Sequence, residues 1–220
     1  MDAQAMDWAV FHAINGLAWR SPLADDVVVA WARFGPGALT SFVVLGWFLL
    51  PGSRSHPNPR RLAFLSIAAA IVALGISQMI GDAWFRERPY TVGNVRLLVP
   101  PSSDPSFPSD HTVGAFALAV PFFFDAKARV FAIVTSFGAI LMGFARVYVG
   151  AHYPGDALGG AALGASTAAL LVWTAAVGDR YFPAMWKPLW LAFRVTESAR
   201  RAVDCGLLAI GALVKRIVPI

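Results

Sequence analysis

Long apolar stretches separated by short polar loops dominate the pattern of residues along the chain. A helix needs about 20 mostly apolar residues to cross the hydrocarbon core of a membrane. The pattern predicts five transmembrane helices, at about residues 25–50, 61–83, 109–125, 128–148 and 154–178. The first contains Gly35-Pro36-Gly37, so we expect it to bend.

Two further segments are amphipathic rather than uniformly apolar. Residues 3–18 place apolar side chains at near-helical intervals, which predicts a short helix in the membrane interface or on the rim of the bundle. Residues 179–220 mix arginine and lysine with apolar residues, which is typical of a tail on a lipid surface. The predicted fold is therefore an all-α integral membrane bundle of about five transmembrane helices with interfacial amphipathic helices at both termini. We expect residues 1–178 to form the membrane domain and residues 179–220 the tail.

Composition supports a membrane protein and narrows its partners. Charged residues make up 14% of the 220 residues, whereas a soluble domain carries roughly 25%. The net charge of +5 suits an anionic membrane surface, and the chain lacks the aromatic-plus-basic pattern of a nucleic-acid module. We therefore expect membrane lipids as partners and no nucleic acid. Cys205 is the only cysteine, which rules out an intramolecular disulfide and a cysteine-based metal cluster.

Basic residues predict which end of each helix faces the cytoplasm. With five spans, the basic segments 51–61, 125–129 and 179–220 fall on one side, which the positive-inside rule assigns to the cytoplasm. The N-terminus, loop 84–108 and link 149–153 then face outward. The first 20 residues have no basic region before Arg20, so they do not resemble a cleaved signal peptide. Four arginines nevertheless fall on the outer side, against the positive-inside rule, and a bound anion would explain their position. They are Arg86, Arg88, Arg96 and Arg146.

Three polar segments fall at the outer ends of the predicted helices: residues 86–89, 107–111 and 146–156. Arginine offers a planar fork of donors that suits phosphate oxygens, which makes Arg88 and Arg146 candidate phosphate ligands. Ser109 stands at a favoured N-cap position, so the third span would direct free backbone N–H groups at an anion.

The same segments contain candidates for proton transfer and nucleophilic attack. Pro154 suits the first position of a helix, which puts Asp156 in its first turn and His152 just ahead of it. A carboxylate there can hold one imidazole nitrogen and leave the other free to attack. His111 can donate a proton to the leaving oxygen.

These segments resemble the three signatures of the type 2 phosphatidic acid phosphatase family, which also includes vanadium haloperoxidases and bacterial acid phosphatases. The matching residues are Arg88-Pro89, then Pro108-Ser109-x-His111, then Arg146-x5-His152-x3-Asp156, within residues 81–156. The resemblance implies that His152 forms a phosphohistidine, that Asp156 orients it and that His111 is the general acid. It also implies that Arg88, Arg146 and the Ser109 region bind phosphate without a metal or other cofactor.

Three positions depart from the family pattern. Gly81 stands where the family has lysine, Ala145 where it has serine and Asp110 where it commonly has glycine. Arg86 is the nearest candidate to replace the lysine at the phosphate, although pairing with Glu87 or lipid headgroups is the alternative. Asp110 is either a second cap residue or a member of the phosphate site.

The string Phe-Pro-Ser-Asp-His at residues 107–111 resembles the branch of the family that dephosphorylates undecaprenyl diphosphate, a lipid carrier of cell-wall synthesis. The expected activity is hydrolysis of its terminal phosphate at the outer face of the plasma membrane. Phosphatidic acid, phosphatidylglycerol phosphate and lipid A phosphate are alternative substrates. A protein that binds or transports lipid phosphates without catalysis is a further alternative, because the family lysine is missing.

Overall fold

A computed structural model gives the fold of the chain and describes residues 2–50 and 59–181. Within those ranges every regular element is helical, as predicted. The α-helices are α1 (Ala3–Asn15), α2 (Pro22–Leu49), α3 (Pro59–Ala83), α4 (Pro89–Val92), α5 (Asp110–Ala119), α6 (Arg129–Tyr148) and α7 (Pro154–Tyr181). Two short 3₁₀ segments, Val120–Phe124 and Ala126–Ala128, join α5 to α6.

Four of the described helices are long and apolar enough to cross a membrane: Pro22–Phe48, Arg61–Ala83, Ala126–Tyr148 and Pro154–Tyr181. The third predicted span, at 109–125, corresponds to Asp110–Phe124, which is shorter than the other four helices. Within it, α5 ends at Ala119 and the chain continues as the first 3₁₀ segment. Pro121 favours this change, since proline lacks the N–H of the helical ladder and clashes with the preceding turn. Together the two pieces are roughly 25 Å long at the usual helical rises. The predicted all-α membrane bundle is thus confirmed, with one short member.

Helix α2 passes through Gly35-Pro36-Gly37 without ending. Ser21 caps its start by accepting a hydrogen bond from the Ala24 N–H, and Pro22 occupies the first turn, where its missing N–H costs nothing. A Cβ added at Gly35 would lie 2.6 Å from Met142 Cε, so glycine lets α6 approach α2 closely at this level.

Contacts between α2 and α6 show that the two helices run antiparallel. Near one end of the bundle the Phe42 and Phe131 rings stack with centroids 4.6 Å apart. Near the other end the Tyr148 hydroxyl donates to Asp25 Oδ1 at 2.8 Å. The start of α2, the end of α6 and the start of α7 therefore lie at the same end of the bundle. Loop 84–108 lies there too, since the Leu98 N–H donates to the Val149 carbonyl at 3.1 Å.

Helix α1 packs against this end of the bundle. Phe11 is fully buried against Val147 and Ala157. Asn15 donates to the Tyr148 carbonyl at 2.8 Å and to the Arg96 carbonyl at 2.9 Å, which ties the end of α1 to α6 and to loop 84–108. Of the two arrangements predicted for residues 3–18, the structure shows packing on the rim.

The chain divides by its contacts into residues 1–173 and 174–220, and the packing described above belongs to the first unit. Of the second unit the structure describes residues 174–181, the last turns of α7. The predicted basic tail lies outside the described residues except for its first three positions, so its boundary at residue 178 stays a prediction.

Candidate active site

The predicted site residues come from segments that meet at one end of the bundle. Loop 84–108 supplies Arg88, the start of α5 supplies Ser109 and His111, and the end of α6 supplies Arg146. The link 149–153 supplies His152, and the first turn of α7 supplies Asp156. All of these except His111 are less than a tenth exposed.

His152 is held as a neutral imidazole with one nitrogen free. Its Nδ1 lies 2.7 Å from the Ser106 carbonyl oxygen. Because a carbonyl only accepts hydrogen bonds, Nδ1 must carry the proton, and Nε2 keeps its lone pair. Burial lowers the pKa of His152 well below 6.5, and the nearby charges of Arg146 and Arg88 lower that pKa further. The geometry thus leaves Nε2 as a potential nucleophile at neutral pH.

A tight turn after α6 brings His152 into this position. The N–H groups of Ala151 and His152 both donate to the Arg146 carbonyl, at 3.1 and 3.2 Å. Gly150 adopts φ +83°, a left-handed conformation that side chains disfavour, and a Cβ there would lie 2.7 Å from Val95 Cγ1. Helix α7 then begins at Pro154, as predicted.

Arg88 is fixed by neutral acceptors. Its Nε donates to the Asp104 carbonyl at 2.9 Å, and its Nη1 lies 3.3 Å from both the Ala151 carbonyl and His152 Nε2. Since carbonyl oxygens carry no full charge, they do not cancel the positive charge of the guanidinium beside His152.

Arg146 is a buried cation that lacks an acceptor. Its side chain sits at the end of α6, is 9% exposed, and its Nε has no hydrogen-bond partner. Of the carboxylates in residues 2–50 and 59–181, none forms an ion pair with Arg146 or Arg88. Buried guanidinium groups are normally paired, because desolvating an unpaired one is costly. Two buried arginines that form no ion pair with the described carboxylates, beside a neutral histidine, make a site that suits an anion.

The start of α5 contributes Ser109, Asp110 and His111 in different ways. Ser109 is the N-cap residue, as predicted, but its side chain caps no N–H; its hydroxyl accepts from Thr112 Oγ1 at 3.2 Å. Asp110 accepts from Ser77 Oγ at 2.5 Å and from Gln78 Nε2 at 2.7 Å, so it ties α5 to α3. His111 lies close enough to His152 to contribute to its lowered pKa, after burial and the two arginines.

Asp156 is linked to the His152 imidazole through Ser106. Its buried carboxylate accepts from Ser106 Oγ at 2.5 Å and from the Tyr153 N–H at 2.9 Å, both at Oδ2. That Oδ2 lies 3.9 Å from His152 Nδ1, whereas the Ser106 carbonyl is 2.7 Å from the same nitrogen. Ser106 therefore joins the carboxylate to the imidazole.

Arg86 lies between two carboxylates. Its Nη1 is 2.5 Å from Asp156 Oδ1, and its Nη2 is 2.6 Å from Asp7 Oδ2. Its guanidinium also stacks over the Tyr153 ring, 4.1 Å from the centroid. Its ion-pair partners are thus Asp7 and Asp156 rather than Glu87, and contact of Arg86 with phosphate or with lipid headgroups stays a prediction.

The position of the missing family lysine adjoins the same loop. A Cβ at Gly81 would lie 3.3 Å from Pro105 Cγ and 3.7 Å from the Phe107 carbonyl oxygen. The residues on either side of Ser106 therefore lie against α3 at Gly81, in the space that a side chain at position 81 would occupy.

Sequence reasoning missed two residues, Ser106 and Asp7. Ser106 stands next to the second polar segment, but no local signal separates it from Ser102 or Ser103. Asp7 was visible only as an acidic residue on an amphipathic helix. In the described part of the chain, no group of three or more histidine, cysteine or acidic residues is arranged to hold a metal ion.

Comparison with known proteins gives concordant matches. The PAP2 superfamily matches residues 60–178. The undecaprenyl-diphosphatase BcrC of Bacillus subtilis is 31% identical over 154 residues, which cover 70% of this chain and 76% of the relative. A Bacillus licheniformis protein named bacitracin transport permease protein BcrC is 30% identical over 167 residues, 75% of this chain and 78% of the relative.

Two solved structures share the fold. Aquifex aeolicus LpxE has a TM-score of 0.63 and 24% identity, with 76% of this chain and 94% of that chain covered. A transmembrane PAP2-type phosphatidylglycerolphosphate phosphatase from Bacillus subtilis has a TM-score of 0.61 and 23% identity, with 81% and 88% covered. At this level of identity, these two matches bear on the fold alone.

Proposed function

The chain belongs to the PAP2 superfamily, and on that premise we propose that it hydrolyses the terminal phosphate of a lipid diphosphate through a phosphohistidine at His152. One observation carries the proposal. Arg146 and Arg88, which form no ion pair with the described carboxylates, place two buried positive charges beside a neutral imidazole whose Nε2 is unprotonated. A phosphoryl group fits this arrangement, because its negative charge suits the two arginines and its phosphorus can be attacked by the Nε2 lone pair.

The proposed reaction has two displacements. The terminal phosphate binds between Arg88 and Arg146, and His152 Nε2 attacks phosphorus. A P–N bond forms while the bond from phosphorus to the lipid-side oxygen breaks, and His111 donates a proton to that oxygen. Water then attacks the phosphohistidine with His111 as base, so the P–N bond breaks and inorganic phosphate leaves.

The surrounding groups support both displacements electrostatically. Charge on the transferred phosphoryl group is stabilised best by donors that are already in place, and Arg88 is fixed by the Asp104 and Ala151 carbonyls. Asp156 holds the Ser106 hydroxyl, and the Ser106 carbonyl accepts from His152 Nδ1 and so keeps the proton on that nitrogen. The Ser109 region at the start of α5 adds the positive end of a helix dipole. We propose that these groups suffice without a metal ion.

The proposed substrate is undecaprenyl diphosphate, and the proposed product is undecaprenyl phosphate, which serves peptidoglycan synthesis. The 31% identity to an undecaprenyl-diphosphatase supports this choice. Phosphatidic acid, phosphatidylglycerol phosphate and lipid A phosphate are the alternative substrates. A second candidate function is the binding or transport of lipid phosphates without hydrolysis, and one relative is named for transport, of bacitracin, rather than for an enzyme activity.

We propose that the site faces the outside of the plasma membrane. The basic segments 51–61 and 125–129 adjoin the ends of α3 and α6 that are remote from the site, and basic segments favour the cytoplasm. A test uses a Cys205→Ala background with Val92→Cys, since Val92 is 56% exposed in the site loop. We expect this cysteine to react with an impermeant maleimide on intact cells. Labelling only after permeabilisation would reverse the orientation.

The decisive experiment is a substrate panel with purified protein in detergent and EDTA. We expect phosphate release from undecaprenyl diphosphate to exceed that from the other three lipids. His152→Ala should abolish release, and His12→Ala, at an exposed histidine on α1, is the matched control. If lipid diphosphate remains bound but no lipid phosphate in the panel is hydrolysed, the transport function replaces the enzyme.

A further inference from the structure

Helix α1, which lies outside the residues matched to the family, contributes a carboxylate to the network around the nucleophile. Asp7 Oδ2 pairs with Arg86 Nη2 at 2.6 Å, and Asp7 Oδ1 accepts from the Gly155 N–H at 2.7 Å. A Cβ at Gly155 would lie 3.0 Å from Asp7 Oδ2, so glycine allows this close approach. One carboxylate thus joins α1 both to the site loop and to the first turn of α7.

A continuous path of polar contacts leads from Asp7 to the nucleophile. Arg86 donates to Asp7 through Nη2 and to Asp156 through Nη1, and Asp156 accepts from the Ser106 hydroxyl. The carbonyl of Ser106 then accepts from His152 Nδ1. Each contact is 2.7 Å or shorter, so the path has no weak step.

We infer that Asp7 is a positioning residue for the proposed phosphatase reaction: it holds Arg86 on Asp156, and thereby holds Ser106 and the His152 imidazole in the attacking geometry. The inference rests on the proposed function. Arg86 needs such an anchor, because its side chain is 30% exposed and arginine has many rotamers. Asp156 in turn is fully buried and needs its cationic partner to remain ionised.

Asp7 does not touch the phosphate site, so its removal should lower the rate of the chemical step more than substrate binding. Asp7→Asn keeps an oxygen that can accept from the Gly155 N–H but removes the charge that fixes Arg86. We expect kcat to fall roughly tenfold, which corresponds to about 1.4 kcal/mol, with KM changed by less than about twofold. Asp2→Asn is the matched control, since it makes the same charge change at the exposed N-cap of the same helix, where asparagine caps equally well.

A double-mutant cycle separates positioning from a structural role of α1. If Asp7 acts through Arg86, Asp7→Asn should have no further effect on kcat in an Arg86→Gln background. A helix that merely needs Asp7 for docking would show the same loss in both backgrounds, which would overturn the inference. Asp7→Glu, which restores the charge, should recover part of kcat; it also serves as the test if Asp7→Asn does not accumulate in folded form.

Other outcomes are equally decisive. If the wild-type protein turns over lipid phosphate and Asp7→Asn has wild-type kcat, the inference fails while the proposed function stands. If KM falls at unchanged kcat, Asp7 restrains Arg86 from the phosphate instead of positioning Asp156, and the inference is again overturned. A wild-type protein that hydrolyses none of the lipids overturns the proposed function and the inference with it.

Discussion

Replacing Arg146 by methionine tests whether this arginine, at the end of α6, binds an anion. Methionine fills a similar length with apolar atoms. Arg146 is 9% exposed and its Nε has no hydrogen-bond partner among the described residues, and a buried polar group left unpaired costs about 1–3 kcal/mol. We therefore expect Arg146→Met to raise the free energy of unfolding by about 1–3 kcal/mol in phosphate-free buffer.

The same change should remove most of the activity. A guanidinium can donate two charge-assisted hydrogen bonds to a phosphoryl group, each contributing about 1.5–3 kcal/mol. Their loss in the transition state corresponds to a decrease in kcat/KM of roughly 10²- to 10⁴-fold. Stability and activity are thus expected to change in opposite directions.

The assay combines denaturant unfolding in detergent with phosphate release from a polyprenyl diphosphate. Arg96→Met is the matched control, because Arg96 Nη1 donates to the Gly16 and Ala18 carbonyls at 2.8 and 2.6 Å. The identical substitution should therefore destabilise the protein at position 96. The reasoning is refuted if Arg146→Met is less stable than the wild type in phosphate-free buffer and retains its kcat/KM.

Three further predictions concern the nucleophile and its supports. Because burial, Arg146 and Arg88 hold the pKa of His152 well below 6.5, His152 stays unprotonated as the pH falls to that value. The acid-side fall of kcat/KM should therefore lie below pH 6.5, and an acid-side fall centred above 6.5 would contradict this. Ser106→Ala removes the hydroxyl on Asp156 but keeps the carbonyl on His152, so kcat should fall roughly tenfold at little change in KM, as expected for about 1.4 kcal/mol lost in the transition state. Ser103→Ala, at an exposed serine of the same loop, should match the wild type. Phosphate release should be the same with and without EDTA, and activity that EDTA abolishes and Mg²⁺ restores would show that a metal takes part.

The fold was predictable because hydropathy is a local property of the chain. Four predicted spans coincide with the long helices to within a few residues at each end. The third coincides with Asp110–Phe124, but its helix type was missed, since the apolar composition of 109–125 does not reveal the change to 3₁₀ geometry at Val120–Phe124. Hydropathy counts apolar residues, whereas helix type depends on which N–H groups are available.

The candidate site was predictable in its members more than in its contacts. The helix ends were expected to bring Arg88, Arg146 and His152 together, and the structure places them at the same end of the bundle. Asp156 was expected to orient the imidazole directly, yet Ser106 stands between them. Arg86 was expected either at the phosphate or paired with Glu87 or lipid headgroups; the structure pairs it with two other carboxylates, and its contact with phosphate stays a prediction.

The order of apolar and polar residues, with its short-range motifs, was enough to predict a membrane bundle of helices and the polar segments that fall at one end of it. Which side chains touch there became visible only in the folded chain. Asp7 meets Gly155 across 148 positions, and Ser106 meets Asp156 across 50. Such contacts depend on how helices pack and how a loop folds over their ends, to within a fraction of an ångström, and no local pattern in the chain encodes those distances.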